Sequence, residues 1–280
     1  MLEHLALHDL VRPWLDEDIG RGDRTTEALV DPAHVGRARI EARATFAVAG
    51  LPVAAACFGV VGGESLKWLP EVAEGEEVTG GTVLARIDGP LASILTAERV
   101  ALNLLQRLSG VATITRRFVE AVAGTGVRIV DTRKTTPGLR ILEKYAVRIG
   151  GGSNHRFGLD DGILIKDNHL AAAGGVTAAV AAARAGAPHG LRIEVEVTDL
   201  EGVSEAIAAG AEAILLDNMT PAMVADAVNL AQGKVLLEAS GGMKLDNVRA
   251  YAEAGVDLIS VGALTHSAPA VDLALEVEDP

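Results

Sequence analysis

Aromatic residues and cysteine are scarce in this chain, and each shortage excludes a class of function. Phe, Trp and Tyr together make up 3% of the 280 residues. So few rings disfavour a protein that binds single-stranded nucleic acid, because such proteins stack bases on aromatic side chains. The lone cysteine, Cys57, excludes an intramolecular disulfide framework and a cysteine-based zinc site. We interpret Cys57 as a small buried apolar residue in a protein of a reducing compartment.

Positive charge is also in short supply. The chain carries 25 Lys and Arg against 38 Asp and Glu, a net charge of −13. Because an acidic surface repels phosphate backbones and acidic membranes, neither is an expected partner, and an anionic ligand needs a local basic pocket. The first residues show no basic stretch followed by an apolar one, and the uncharged run 44–63 contains Pro52 and four glycines. We therefore expect no signal peptide, no membrane helix and a cytoplasmic location.

The first hundred residues predict a mixed α/β unit. Residues 3–16 have the apolar spacing of an amphipathic helix, and residues 37–49 alternate as a strand does. Residues 72–91 predict short valine-rich strands separated by glycine pairs, a pattern that resembles the hairpins of biotinyl and lipoyl carrier domains. Such carriers present a modifiable lysine on a tight turn, and no lysine lies between Lys67 and Lys134. The resemblance is therefore one of β-sandwich shape.

The rest of the chain predicts a β/α barrel. A helical stretch over 91–123, with a kink or boundary at Ser109-Gly110, leads into a series of short apolar strands that alternate with Ala-rich helices. Such alternation indicates a parallel sheet covered on both faces. Six units, of which the last end in Gly-rich turns, favour an incomplete, irregular barrel over an open sheet. The predicted strands are 127–132, 162–167, 191–197, 211–217, 234–239 and 257–262.

Polar side chains lie at the end of nearly every predicted strand. In β/α barrels the active site lies at the carboxyl ends of the strands. Charged residues there are costly unless they are paired or solvated in a site, so a whole set of them indicates a catalytic mouth. The set comprises Asp131–Thr135, Lys166–His169, Glu194 with Glu196, Asp217 with Asn218, Glu238–Gly242, and Gly262 with Ala263.

The segment between Asp131 and His169 is the local basic region that the composition requires. It holds seven Lys and Arg and five Asp and Glu, inside a chain that is acidic overall. Because Arg140, Lys144 and Arg148 are spaced four apart, we interpret them as a solvated helix face. That interpretation does not fit the cations next to strand ends, which are Arg133, Lys134 and Lys166.

Two features of the later predicted strands indicate binding sites for phosphate and for a metal ion. Ser240-Gly241-Gly242 and Gly262-Ala263 end consecutive strands, and such turns present backbone N–H groups to phosphate in these barrels. Glu196 and Asp217 lie on neighbouring strands among the cations. Carboxylates near phosphate suit Mg²⁺, but salt bridges to Lys134 or Lys166 explain them equally well.

Seven short motifs are spread along the chain. The two most specific are DTRKTTPG at 131–138 and GGGSNHR at 150–156. The others are ERVALN at 98–103, IKDNH at 165–169, EVEV at 194–197, LLDN at 215–218 and ASGG at 239–242. Together they resemble the motifs of the quinolinate phosphoribosyltransferases, and the resemblance extends from the segment at Glu17 to that at His266.

The resemblance implies a fold, a reaction and a set of roles. It implies an N-terminal α/β sandwich over 1–110, an incomplete barrel over 111–266, and a C-terminal segment, 267–280, that packs back on the sandwich. The implied reaction joins quinolinate to phosphoribosyl pyrophosphate and yields nicotinate mononucleotide, pyrophosphate and CO₂ in NAD biosynthesis.

By the same resemblance, the quinolinate pocket would be lined by Arg99, Arg133, His155, Arg156 and Lys166, and Thr132 would also bind substrate. Lys134, Glu196 and Asp217 would serve the ribosyl pyrophosphate and its Mg²⁺, and together with Lys166 they are the implied catalytic residues. Ser240, Gly241, Gly242, Gly262 and Ala263 would hold phosphate. Arg99 would reach the partner's site in a homodimer.

Three alternatives remain open at the level of sequence. A phosphoribosyltransferase that takes nicotinate would need fewer cations for its single carboxylate. A barrel aldolase or isomerase would form a Schiff base on Lys134 or Lys166. A carrier or scaffold built on residues 72–91 would have no turnover.

Overall fold

The computed structural model describes residues 6–278, which divide into two compact units. The first takes in the chain as far as Ile114, residues 141–150 and the chain from Ala268; the second takes in 115–140 and 151–267. The domain boundaries expected at residues 110 and 266 stay predictions.

The helices are α1 (Leu7–Ile19), α2 (Arg24–Leu29), α3 (Leu51–Gly62), α4 (Leu91–Ala121), α5 (Arg140–Ile149), α6 (Asp167–Ala173), α7 (Val176–Gly186), α8 (Leu200–Ala209), α9 (Pro221–Ala231), α10 (Val248–Glu253) and α11 (Ala263–His266). The strands are β1 (Val35–Ala42), β2 (Phe46–Ala47), β3 (Lys67–Pro70), β4 (Glu77–Val78), β5 (Val83–Pro90), β6 (Arg128–Val130), β7 (Ile163–Ile165), β8 (Ile193–Val197), β9 (Ala213–Asp217), β10 (Leu236–Ser240), β11 (Leu258–Ser260) and β12 (Leu273–Glu278).

An antiparallel sheet in the order β12-β1-β5-β3 forms the frame of the first unit. The predicted alternation of residues 37–49 is that of a half-buried strand, since Ala38, Ile40 and Ala42 of β1 are buried. Ile40 lies opposite Leu275 of β12 on one side and Ala85 of β5 on the other. The last strand of the chain therefore lies beside the first.

The uncharged run 44–63 forms β2, a turn and helix α3, as its glycine and proline content predicts. Cys57 is buried in α3, and burial raises the pKa of its thiol to about 12. Across residues 6–278, no helix is both long enough and apolar enough to span a membrane. Of the helix predicted over 3–16, residues 3–5 lie outside the described residues, and α1 covers the remainder and continues to Ile19.

Helix α4 continues through Ser109-Gly110, so the helix does not end there; the kink expected at these residues stays a prediction. Both residues serve close packing inside the first unit. Ser109 Oγ accepts a hydrogen bond from the Ala49 N–H (3.0 Å). A Cβ on Gly110 would lie 2.0 Å from the carbonyl oxygen of Pro269, so only glycine permits this approach.

Helix α5 corrects a second expectation. Lys144, interpreted as part of a solvated face, is 2% exposed, and the adjacent Glu143 is fully buried. Arg107 donates to the Glu143 carboxylate through Nη2 (2.8 Å), which compensates the burial of that charge. Because Arg107 lies far away in sequence, helical spacing alone could not reveal this partner.

Six parallel strands in the order β6-β11-β10-β9-β8-β7 form the second unit. They match the six predicted segments, and helices connect them as predicted. Within residues 6–278 strand pairing does not close the sheet, whose edges are β6 and β7, and a single bridge joins Val130 to Ser153. The architecture is therefore the expected irregular, incomplete barrel. Parallel pairing brings all carboxyl ends to one side of the sheet.

Candidate active site

A cavity of about 660 Å³ opens at the carboxyl ends of the six parallel strands. It brings together most of the residues expected to form the site. Those lining it are Thr132, Arg133, Lys134, His155, Arg156, Lys166, Glu196, Asp217, Ser240, Gly241 and Gly242. Their assigned roles stay predictions.

Three predicted residues are not among those that line this cavity. Gly262 and Ala263 lie just beyond β11, where a Cβ on Gly262 would come within 3.2 Å of the Lys134 side chain. Arg99 lies on α4 in the first unit; its side chain is 59% exposed and is paired with the adjacent Glu98 at 3.6 Å. The expected contribution of Arg99 to a partner's site stays a prediction.

Strand register sorts the inward-facing side chains into two rows. Ser240 on β10 pairs with Asp217 on β9, at the mouth of the cavity. Two residues deeper, Glu238 pairs with Leu215, and Glu194 on β8 pairs with Leu164 on β7. Side chains two residues apart point to the same face of a strand. β8 and β10 therefore each contribute one side chain to the mouth of the cavity, Glu196 and Ser240, and one to the deeper row, Glu194 and Glu238.

An ion pair joins two of the predicted catalytic residues at the mouth. The Lys166 ammonium contacts Glu196 Oε2. The side chain of Glu196 is 15% exposed and that of Lys166 is 45% exposed. The salt bridge considered for Glu196 is therefore present, and it occupies one of the two carboxylate oxygens.

The buried carboxylate of Asp131 fixes the conformation of the GGGSNHR segment. Asp131 is fully buried at the end of β6. It accepts hydrogen bonds from Asn154 Nδ2 (2.6 Å) and from the backbone N–H of His155 (2.9 Å). These bonds hold the loop against the strand, so that His155 and Arg156 line the cavity.

Two arginines face the cavity with hydrogen-bonding capacity to spare. Arg156 donates through Nη1 to the Gly162 carbonyl (2.9 Å). The Nε atoms of Arg133 and Arg156 are buried and have no hydrogen-bond partner among the described residues. Burial, and then the neighbouring Arg133, lower the pKa of Arg156. Since unpaired buried donors are costly, this pair favours an anionic ligand.

The glycine turn after β10 is tightly constrained. Gly241 and Gly242 have φ values of +92° and +60°, in the left-handed region. A Cβ on Gly241 would lie 2.2 Å from Asn218 Oδ1 and 2.9 Å from the Asn218 backbone N. The turn can therefore present bare backbone to a ligand, which suits the predicted phosphate site.

Sequence reasoning did not assign roles to Asn218, Glu238 and Ser260, which also line the cavity. The signal for Glu238 was its spacing, since it precedes Ser240 by two residues on the same strand. Asn218 has a φ of +55° and donates from Nδ2 to Asp217 Oδ2 (2.8 Å). That backbone conformation has no comparable signature in the sequence.

Comparison with known proteins places the chain in one family. The family model for the quinolinate phosphoribosyl transferase N-terminal domain matches residues 23–109, and that for the C-terminal domain matches 111–276. The chain is 49% identical over 270 residues to a probable carboxylating nicotinate-nucleotide pyrophosphorylase of Synechocystis, covering 95% of this chain and 91% of the relative. It is 44% identical to the Bacillus subtilis counterpart, covering 99% and 95%.

A solved structure shares the whole fold. The nicotinate-nucleotide pyrophosphorylase of Francisella tularensis superposes with a TM-score of 0.91 at 38% identity, covering 97% of this chain and 96% of that one. Both family models and the relatives span nearly the full chain, so the chain belongs to the quinolinate phosphoribosyltransferase family.

Proposed function

We propose that this chain transfers the phosphoribosyl group of phosphoribosyl pyrophosphate to quinolinate, with loss of CO₂, to give nicotinate mononucleotide and pyrophosphate in NAD biosynthesis. The observation that carries the proposal is the charge arrangement of one cavity, in which Arg133, Arg156 and Lys166 lie with Glu196 and Asp217. The printed names of the relatives, carboxylating nicotinate-nucleotide pyrophosphorylases, support the same reaction.

The cations of the cavity suit the acid substrate. Quinolinate carries two carboxylates, and planar guanidinium groups bind carboxylates through paired N–H donors. Arg133 and Arg156 have buried Nε–H groups without partners among the described residues. We propose that these two residues and Lys166 grip the carboxylates and hold the ring nitrogen towards the sugar.

The carboxylates and the glycine turn suit the ribosyl donor. Departure of pyrophosphate leaves positive charge on the ribose, which a neighbouring carboxylate stabilises. Glu196 and Asp217, which line the cavity, would supply that carboxylate. We propose that Lys134 neutralises the leaving group and that the turn at Gly241 binds the 5′-phosphate through backbone N–H groups.

We propose Mg²⁺ as the cofactor, and the residues present fit it. Lys166 engages Oε2 of Glu196, and Asn218 engages Oδ2 of Asp217, so each carboxylate keeps a second oxygen. Two carboxylates together with phosphate oxygens and water are a typical magnesium environment. When bound, the ion would neutralise the pyrophosphate leaving group.

One assay tests the reaction against its alternatives. The protein is incubated with quinolinate, phosphoribosyl pyrophosphate and Mg²⁺, and nicotinate mononucleotide and CO₂ are followed. Turnover with nicotinate in place of quinolinate would instead identify a nicotinate enzyme. Borohydride trapping of a substrate on a lysine would indicate Schiff-base chemistry, and a modified lysine without turnover would indicate a carrier.

We also propose a homodimer in which Arg99 enters the partner's site. The side chain of Arg99 is 59% exposed on α4, which supports a contact with a second copy of the chain. Arg99→Ala and Lys166→Ala proteins are each expected to be inactive, but unfolding and refolding an equal mixture should restore about a quarter of wild-type activity, because each hybrid dimer has one complete site. No recovery, despite hybrid formation shown by a tag, would contradict the arrangement.

We propose a cytoplasmic location for the enzyme. The single free thiol of Cys57, which is buried, supports a reducing compartment. Fractionation of cells that produce the tagged chain would test this.

A further inference from the structure

Three titratable side chains form a buried cluster beneath the substrate cavity. His155 Nε2 lies 3.0 Å from Glu194 Oε2 and 3.6 Å from Glu238 Oε2. Glu238 is 1% exposed and Glu194 is 8% exposed. Both glutamates belong to the deeper of the two rows of inward-facing side chains, so the proposed substrate contacts at the mouth do not account for them.

The orientation of the imidazole argues against a metal at this cluster. The backbone N–H of Arg156 donates to His155 Nδ1 (2.8 Å), so Nδ1 carries no proton. The proton of a neutral imidazole then lies on Nε2, where it is donated to Glu194. A metal-ligating histidine has the opposite arrangement, with a free lone pair on the coordinating nitrogen and a proton donated from the other. The cluster therefore holds a proton where a metal would need a lone pair.

Glu238 is the member of the cluster with unused hydrogen-bonding capacity. Both of its carboxyl oxygens are buried and lack a hydrogen-bond partner among the described residues. The groups facing it are His155 on its loop, Glu194 from β8, Asp131 just after β6 and the Ser260 hydroxyl from β11. Burial, and then the charge of Glu194, raise the pKa of Glu238 to about 7. A buried carboxyl next to a second carboxylate favours its neutral, protonated form.

Glu238 borders two cavities, as do His155 and Arg156. It lines the substrate cavity, and it lines a second cavity of about 290 Å³. The second cavity extends to the amino ends of the strands, where Arg128 begins β6 and Arg192 precedes β8. Both arginines are exposed, so this cavity leads from the Glu238 carboxyl to the surface at the face opposite the substrate.

We propose that Glu238 is the proton donor of the decarboxylation step, reloaded from solvent through the second cavity. This inference rests on the proposed function. When the bond between the ring carbon and its carboxylate breaks, CO₂ leaves without the electron pair, which stays on the ring carbon. A new C–H bond forms there in the same step, with the proton of the Glu238 carboxyl. Without that proton the electron pair recaptures CO₂, so net CO₂ release depends on the donor. The resulting Glu238 carboxylate then regains a proton from water, so charge and atoms balance.

Glu238→Gln tests the donor, because the amide keeps the shape of the side chain but has no acidic proton. Glu120→Gln makes the same chemical change on the exposed face of α4 and is the matched control. In a single turnover, the Glu238→Gln protein should release pyrophosphate near the wild-type rate while its CO₂ release falls by about 100-fold or more. The undecarboxylated ribonucleotide should accumulate and be visible by mass spectrometry. Glu238→Asp, which keeps an acidic proton, should retain more CO₂ release than Glu238→Gln.

The pH profile gives a second readout that a structural role would not produce. The protonated donor is lost as pH rises through its pKa, so wild-type CO₂ release should fall on the alkaline side of neutrality. The same limb should be absent from the residual activity of Glu238→Gln. Unchanged CO₂ release in Glu238→Gln, or an equal loss of pyrophosphate and CO₂ release, would overturn the proposal. Absence of pyrophosphate release by the wild-type protein would instead overturn the proposed function, and this inference with it.

Discussion

Replacement of Asp131 by alanine should weaken both the fold and the catalytic site, by amounts that follow from its contacts. Its buried carboxylate accepts two hydrogen bonds, from Asn154 Nδ2 at 2.6 Å and from the His155 N–H at 2.9 Å. A hydrogen bond to a charged group contributes about 1.5–3 kcal/mol. Removal of a buried charge recovers part of its desolvation cost, so we expect a net loss near the lower end of the sum, about 3 kcal/mol.

The same change should reduce activity because Asp131 holds the loop that carries Arg156 into the cavity. A displacement of about 1 Å can cost about 100-fold in rate, and we expect a loss of that order in kcat/KM. Asp131→Asn keeps one acceptor oxygen and should lie between the wild type and Asp131→Ala in both measures.

The measurements are denaturant unfolding and steady-state kinetics on the three proteins. Asp226→Ala removes an exposed carboxylate on α9 and is the control, expected to change stability by about 0.5 kcal/mol or less. If Asp131→Ala unfolded with the midpoint of this control and kept wild-type kcat/KM, the assignment of the loop's stability to Asp131 would be refuted.

Three further predictions concern the mouth of the cavity. Arg133→Ala or Lys166→Ala should abolish turnover while the circular dichroism spectrum stays unchanged; near-wild-type turnover in either would remove that residue from the site. Glu196→Ala combined with Asp217→Ala should weaken the dependence of the rate on Mg²⁺, and an unchanged metal titration would exclude them as its binding residues. Gly241→Ala should raise the KM for phosphoribosyl pyrophosphate by about tenfold or more, because the new Cβ would lie 2.9 Å from the Asn218 backbone N and displace the turn; an unchanged KM would show that the turn does not bind the donor.

The barrel could be predicted from the sequence because its signals are local. Each parallel strand is a short apolar run, and several of the runs are followed by Ala-rich helices, so the six strands were found within a few residues of their observed ends. The errors occurred where distant residues determine the outcome. Ser109-Gly110 predicted a kink or boundary, yet helix α4 continues there and Gly110 allows the close approach of Pro269. Lys144 predicted a solvated face, yet it is buried on a helix whose Glu143 pairs with Arg107.

The candidate site shows the same division between local and distant causes. The cations of the mouth were found because they lie in one basic segment, next to strand ends. The carboxylates that stabilise these cations electrostatically come from other strands. Burial, and then the neighbouring Arg133, lower the pKa of Arg156, while Glu194 and Asp161 raise it. Nearby carboxylates stabilise two adjacent half-buried guanidinium groups, and sequence could not show that the deeper row of the strands supplies one of them. The basic pocket that an acidic chain needs for an anionic substrate therefore lies next to a deeper row of buried carboxyl groups, Glu194 and Glu238. Glu238 is the proposed source of the proton that the reaction consumes.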